Sequence, residues 1–374
     1  MRVLVVPDSF TGTLSASEAA AAITSGWRDA APHDELISLA MSDGGPGFVA
    51  AMLTSENYQS ETFQVTDLQG QLVSIDVAIS STNPKTVFIE SAQIVGTQLV
   101  ASNPVRSPGS YSSFGIGEAI LWAIANHAQR IVIGLGGTAL IDGGAGMLAA
   151  LGAQPKSKLM QGGLALAQVT EINLSAPIAN LAGVELVVAA DVDVPLLGSR
   201  GAALGFGLQK GATAVQQAEL EAALTNYSSM MPKRIDGKDA ALMLGAGAAG
   251  GIGYAALALG GTKVPGFNYV AAAVELLGQV AVADLVITGE GSFDWQSMQG
   301  KAVSQLAAIC AAAGKPLLVL AGRVDVGRRE WSAIGVVGAY GCSADGELPD
   351  QPYEALVSLA NRVARTFSPV SWQT

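Results

Sequence analysis

Short β-branched runs that stop at Gly, Asp or Pro, each leading into apolar residues at helical spacing, set the rhythm of this chain. Val3–Val6 is the first such run; it closes at Pro7 and predicts a buried strand. A polar loop from Asp8 to Thr13 follows. Ser15 or Ser17 can then cap a helix, and Glu18, three residues after Ser15, has the spacing of a capping box. Ala19, Ala22, Ile23 and Trp27 continue that helix at regular intervals. Strand, loop, helix is the opening unit of a doubly wound sheet, whose ligands bind at loops beyond the carboxyl ends of the strands. Glu35–Ala40 predicts a second strand, leading into Ser42-Asp43-Gly44-Gly45.

The pattern changes over residues 60–100, where a second or inserted domain is expected to begin. Thr62–Val65, Val73–Ile79 and Thr86–Glu90 alternate more, with turn signals at Gln69-Gly70 and Asn83-Pro84, and predict antiparallel strands. The βα rhythm returns at Gly115. It predicts a helix over Ile116–His127, the strand Ile131–Ile133, a glycine turn at 134–137 and a helix from Gly144 to Leu151. Strand Glu185–Ala190 ends at Asp191, and a polar helix covers Ala214–Asn226. Helix Asn268–Val280, strand Asp284–Ile287, helix Gln305–Ala313, strands Pro316–Leu320 and Ile334–Ala339 and helix Tyr353–Arg365 complete the reading.

Composition narrows the class. Half of the 374 residues are apolar, only 14% are charged and 45 are glycine, which suits an α/β protein with strands buried on both faces. The length allows one large or two medium domains. Twenty basic against thirty-one acidic residues give a net charge of −11, and no stretch concentrates Lys and Arg. That balance argues against nucleic acid and anionic membrane as partners. An anionic substrate must then be met locally, by backbone amides, a few cations or Mg²⁺. Cys310 and Cys342 offer neither a disulfide framework nor a zinc site and suit a reducing cytoplasm. The apolar start, Met1–Pro7, is too short for a signal peptide. Ala240–Thr262 is uncharged and long enough to span a bilayer, but its glycines mark it as loop plus packed helix.

Several carboxylates share one address, the loop just after a strand and beside Gly or Ser: Asp8, Asp43, Asp142, Asp191, Glu290 and Asp294. A single Asp there commonly caps a turn or helix. Their recurrence points to a site that holds Mg²⁺ or takes a proton from a hydroxyl. Gly134 to Thr138 and Asp142 to Gly146 bracket a strand-to-helix loop whose amides could cup a phosphate or carboxylate; a tight connection packed for its own sake reads equally well. The cations near these motifs are Arg106, Arg200, Lys210, Lys301 and Arg323. Lys210 and Lys301, embedded among glycine and apolar neighbours, could offset phosphate charge.

Other chemistries fit poorly. Gly245 to Gly250 matches G-x-G-x-x-G, but no acidic residue stands about 20 positions on, as a dinucleotide site requires. Gly300-Lys301 is followed by Ala302, and no Gly sits five places before Gly300, so a Walker A loop is missing. A protein-kinase signature set is missing. His33 and His127 lie apart from the motifs, and no G-x-S-x-G elbow accompanies them, which argues against a hydrolytic triad.

Together these segments resemble the type-1 bacterial glycerate kinases, nearly end to end. The likeness rests on Pro7-Asp8-Ser9-Phe10 with Leu14-Ser15-Ala16, Asp43-Gly44-Gly45 with Gly47, Gly134 to Thr138, and Asp142 to Met147. It continues through Asp191-Val192 with Pro195-Leu196, Gln209-Lys210-Gly211-Ala212 and Gly245 to Gly253. Thr288-Gly289-Glu290-Gly291 with Asp294, Gln296, Ser297, Gly300 and Lys301, and then Ala321-Gly322-Arg323-Val324, close the set.

The resemblance implies transfer of the γ-phosphoryl group from Mg·ATP to D-glycerate, typically giving 2-phosphoglycerate, in the cytoplasm. It implies a flavodoxin-like doubly wound domain, residues 1–60 plus 260–374, with a mixed-sheet α/β domain, 61–259, inserted and the site in the cleft between. Its partners would be a small hydroxy acid and a nucleotide, and a homodimer is compatible with it. On this expectation Asp191 is the base, with Asp8 and Lys301 as further catalytic residues, and Asp142 with Asp191 holds the metal. Substrate and phosphate contacts fall to Ser9, Asp43, Gly44, Gly45, Gly136, Gly137, Thr138, Lys210, Gly289, Glu290, Gly291, Asp294 and Ser297. The chain departs from the family pattern at Thr11, usually Lys, at Ile141 and Val194, usually Asn, at Ser292, usually Arg, and at Pro46, commonly Glu. Two lost cations leave a second reading, a weakened, re-specialised or inactive paralogue that binds a small hydroxy acid or nucleotide in a regulatory role.

Overall fold

The structure, a computed structural model, describes residues 1–10, 12–81, 83–100, 107–234, 236–298, 302–343 and 350–368. In chain order its strands are β1 Arg2–Val5, β2 Glu35–Ser38, β3 Tyr58–Thr66, β4 Leu72–Ser80, β5 Thr86–Glu90, β6 Arg130–Gly134 and β7 Glu185–Ala189. They continue as β8 Thr262–Val264, β9 Leu285–Thr288, β10 Ser292–Phe293, β11 Leu317–Ala321, β12 Arg323–Val324 and β13 Val336–Gly341. The chain divides into two compact units. One holds Met1–Asp43, Ala50–Ser55 and Phe267–Thr374; the other holds Gly44–Val49 and Glu56–Gly266.

The first unit is built on a five-stranded parallel sheet in the order β13-β11-β9-β1-β2. Counted along the chain, that order is 2-1-3-4-5, the flavodoxin-like winding, and its direction reverses between β1 and β9. β9 and β11 are buried along their whole length, as continuous apolar runs are when helices cover both faces of a sheet. Helix Ala16–Ala30 starts at the expected capping box: Ser15 Oγ accepts from Glu18 N, and Glu18 accepts from Ser15 N at 2.8 Å. Ala19, Ile23 and Trp27 share a core with Leu356, Leu359, Ala360 and Val363 of helix Pro352–Phe367. The single helix expected over 268–280 is two helices, Gly266–Ala273 and Leu276–Val282. Glu275 separates them, because its left-handed backbone (φ 52°) cannot continue a right-handed turn.

The second unit carries a six-stranded mixed sheet in the order β3-β4-β5-β6-β7-β8. β3 and β4 form a long antiparallel hairpin, in register from Tyr58 with Ser80 to Thr66 with Leu72. β5 pairs antiparallel with β4 but parallel with β6, so the expected run of antiparallel strands ends there. A parallel partner needs a crossover, and helix Phe114–Ala125 lies within it. The uncharged stretch after Asp239 forms short turns and the buried helix Ile252–Ala258, then runs into β8, a strand too short to read from the pattern. No helix among the described residues is long and apolar enough to cross a membrane.

Candidate active site

In the first unit the expected residues gather where the strand order reverses. Val6 N–H donates to Ile287 O at 2.7 Å, Asp8 N–H to Gly289 O at 2.9 Å, and Thr288 Oγ1 to Val6 O at 2.8 Å. These bonds set Asp8 and Ser9, at the end of β1, beside Gly289, Glu290 and Gly291, at the end of β9. Asp8, Ser9 and Glu290 are half-buried there, at the edge where open α/β sheets bind ligands. Asp43, also half-buried, ends the first segment of this unit.

Asp294 and Ser297 are held by turn chemistry of their own. Asp294 Oδ1 accepts from Gln296 N at 2.7 Å and Ser297 N at 3.3 Å, while Ser297 Oγ accepts from Asp294 N at 3.2 Å. Nearby, β10 and β12 pair in parallel. Arg323 Nη2 donates to Ser292 Oγ at 3.3 Å, and its Nε pairs with Asp325 Oδ2 at 2.6 Å.

In the second unit, register aligns Glu90, Gly134 and Ala189 across the carboxyl ends of β5, β6 and β7. The segment Gly44–Val49 is bound along this edge. Glu90 Oε1 accepts from Gly47 N and Oε2 from Val49 N, both at 3.1 Å. Burial pushes the Glu90 pKa up, against the pull of those amides. The approach is close enough to require glycine. A Cβ on Gly44, already at φ +99°, would stand 2.4 Å from Ala189 O, and one on Gly136 would stand 2.5 Å from Gly45 Cα. Packing therefore accounts for these two glycines.

Asp142 is fully buried and turned into its own loop. Oδ2 accepts from Ser113 N at 2.8 Å, Ser113 Oγ at 2.7 Å and Gly146 N at 3.2 Å, and Oδ1 accepts from Gly144 N at 2.9 Å. Ser113 Oγ in turn accepts from Met147 N at 2.9 Å. Burial pushes the Asp142 pKa up and the four donors push it back. Four donors on one carboxylate favour its charged form, against the burial that raises its pKa.

Lys210 reaches the same loop from the turn Leu208–Lys210. Its Nζ donates to Thr138 Oγ1 and to Leu140 O, each at 2.9 Å. Enclosure pushes its pKa down to about 7, opposed by the charge of Asp142. Asp191 is half-buried just beyond β7. Its neighbour Asp193 pairs with Lys263.

The glycerate kinase family model matches residues 3–368. The chain belongs to the glycerate kinase family. The glycerate 2-kinase of Escherichia coli K12 is 37% identical over 351 residues, spanning 92% of this chain and 89% of that one. The glycerate kinase of Halalkalibacterium halodurans is 32% identical over 374 residues, spanning 99% and 98%. A crystal structure described as glycerate kinase 2 of Salmonella typhimurium LT2 matches with TM-score 0.76 and 34% identity, over 98% of each chain. Membership bears out the resemblance carried by the motifs, and with it the enzyme class, a kinase.

Within that family the geometry separates the expected residues. Asp8, Ser9, Gly289, Glu290 and Gly291 come together in the first unit; Gly136, Gly137, Thr138 and Lys210 come together in the second. Asp142, expected to hold the metal, accepts from four donors, three on Oδ2 and one on Oδ1, and so braces the glycine loop. Among the described residues no three His, Cys, Asp or Glu side chains converge as a metal cage. Lys301, Gly300, Thr11 and Arg106 lie outside the described residues. Ile141, where the family has Asn, is fully buried, and Val194 packs against Gly247. At Ser292, where the family has Arg, the guanidinium of Arg323 is already in contact.

Glu90 and Ser113 were not foreseen. Glu90 is legible only as the end of an apolar run. Ser113 sits just before a helix and looks like a cap, yet its side chain caps nothing there and serves Asp142 instead.

Proposed function

We propose that this protein transfers the γ-phosphoryl group of ATP to a hydroxyl of D-glycerate, with 2-phosphoglycerate as the expected product. The observation that carries the reading is the family match over residues 3–368. The glycine loop braced by Asp142 and reached by Lys210 supports it, because phosphoryl transfer asks the protein for alignment and charge stabilisation more than for covalent chemistry.

Asp191, at the end of β7, is the proposed base for the attacking hydroxyl. Asp8, Ser9, Asp43 and Gly289 to Gly291 in the first unit, and Gly44, Gly45, Gly136 to Thr138 and Lys210 in the second, are the proposed contacts for substrate and phosphates, with Lys301 a further cation. Asp294 and Ser297 shape the turn beside them. Magnesium bound with the nucleotide would supply neutralisation of phosphate charge, with Asp142 and Asp191 the proposed carboxylates for it. Small-molecule substrates, and a cytoplasmic setting, follow from this reading.

The test is ADP release, followed by a coupled assay, on adding D-glycerate, ATP and Mg²⁺ to the full chain. Asp191→Asn with unchanged circular dichroism is expected to lower kcat by about 10²–10⁴-fold. Phosphorus NMR of the product identifies the hydroxyl that was phosphorylated. Unchanged kcat in the variant moves the base elsewhere, and no ADP release with D-glycerate ends the reading.

A further inference from the structure

The first amides of a helix have no partner within it, and a side chain just ahead usually supplies one. Helix Phe48–Met52 is led in by Gly44-Gly45-Pro46-Gly47, which includes no Ser, Thr, Asp or Asn to do so. Glu90, the last residue of β5, takes that place from 43 and 41 positions away. Its Oε1 accepts from Gly47 N and its Oε2 from Val49 N, each at 3.1 Å. The residue is 7% exposed and makes no ion pair among the described residues. A carboxylate taken out of water is costly unless hydrogen-bonded, so these two amides hold Glu90 as firmly as it holds them.

The upstream half of the same segment meets the sheet through glycine. A Cβ on Gly134 would stand 2.6 Å from Gly44 O, and one on Gly137 would stand 2.8 Å from Pro46 Cδ. With Gly44 against Ala189 O and Gly45 against Gly136, the segment runs across the carboxyl ends of β7, β6 and β5 in turn. Dispersion between such backbones is weak atom by atom and sets no register. A carboxylate that takes two amides does set one. At the same end Phe48, fully buried, packs on Phe88 of β5 with ring centroids 6.2 Å apart.

We propose that Glu90 is a positioning residue. It fixes Gly44 and Gly45 beside Gly136 and Gly137, so that two glycine backbones meet the ligand as one preformed surface, while its own carboxylate touches no ligand. The inference rests on the kinase reading for these glycines as ligand contacts. It adds where their placement comes from, a buried carboxylate outside all the motifs. Contacts to parts of a ligand that do not react are made equally in the ground and transition states. Misplacing them raises KM and leaves kcat nearly unchanged. A carboxylate that served folding alone would do the opposite: its loss would lower the folded fraction, and with it the apparent kcat, at unchanged KM.

Glu90→Ala removes both acceptors, and Glu90→Gln keeps the length with a single accepting oxygen. Each is made in the full chain and its folded fraction measured by circular dichroism. Hydrogen exchange is followed at Gly47 and Val49, with Val132 of β6 as the control. Exchange at both amides should quicken about tenfold in Glu90→Ala and stay as in wild type at Val132. KM for D-glycerate or for ATP should rise about tenfold, with kcat per folded molecule within about threefold of wild type. Glu90→Gln should recover part of that loss. Kd by isothermal titration calorimetry, for D-glycerate and for ATP, should weaken as KM does, and the ligand that responds is the one held at this edge. KM and Kd within about twofold of wild type in Glu90→Ala overturn the proposal, as does unchanged exchange at the two amides. Should the Ala variant not fold, Glu90→Gln decides by the same criteria; if neither folds, Glu90 is a structural residue and the proposal falls. A wild type that releases ADP with D-glycerate, but whose KM ignores Glu90, keeps the kinase reading and loses this one. A wild type that releases none loses the kinase reading, and Kd then decides; binding of neither ligand overturns both.

Discussion

Asp142→Asn keeps the side chain's shape and removes its charge, which makes it a direct measure of how much this carboxylate holds together. An amide has one accepting oxygen. In the better orientation that oxygen takes the place of Oδ2 and keeps Ser113 N, Ser113 Oγ and Gly146 N, while Nδ2 faces the Gly144 N–H, donor against donor. Each retained bond drops from charge-assisted to neutral, a loss of about 1 kcal/mol apiece, and the orphaned Gly144 N–H costs about 1–3 kcal/mol more. Against this, a neutral amide is cheaper to bury than an ion, which offsets roughly 2 kcal/mol. The net destabilisation expected is about 2–4 kcal/mol. For a body of this size that is a fall in Tm of roughly 5–15 °C by scanning calorimetry. The opposite orientation loses three bonds and costs more. A Tm within about 1 °C of wild type would refute the reasoning. The same variant removes the charge that holds the Lys210 pKa up, so that pKa should fall below about 7.

Two further outcomes are expected elsewhere. Gly136→Ala places a methyl 2.5 Å from Gly45 Cα and 2.9 Å from Gly45 N, both backbone atoms that cannot rotate away. Faster hydrogen exchange at the Gly47 and Val49 amides should result, with a cost of about 1–3 kcal/mol; unchanged exchange there would show that the loops are not in contact as described. At Asp34, burial raises the carboxyl pKa, but hydrogen bonds from the Met1 ammonium at 2.6 Å, from Trp27 Nε1 at 2.9 Å and from Ser368 outweigh it, and the net shift is downward. A depressed acid stabilises the fold above its unfolded pKa and loses that contribution as pH falls through the folded value. Asp34→Asn should therefore lower stability in urea melts at pH 7 by about 1–2 kcal/mol, with the difference closing as pH falls below the ordinary carboxylate range. A difference that is independent of pH would assign the effect to packing.

Legibility followed the range of the interactions. The Ser15–Glu18 capping box was readable because all its partners lie within one turn. Buried runs such as Leu317–Ala321 were readable because apolar continuity is local. The parallel pairing of Thr86–Glu90 was not, since its partner β6 lies beyond a helix, and alternation alone does not tell a parallel neighbour from an antiparallel one. The carboxylates show the same divide. That Asp142 lies among glycines is plain from the chain; that it faces Ser113, 29 positions earlier, is not.

The amino-acid order alone thus determined the rhythm of strands and helices, the motifs that carry family membership, and the positions where carboxylates and glycines accumulate. Only the tertiary structure decided which polar groups are used up and which remain open. Hydrogen bonds between residues 29, 41 and 72 apart enclose Asp142, tie Val49 to Glu90 and seat Lys210 on Thr138. A donor's partner across such distances is set by how the sheet and its loops pack, and no local pattern encodes it.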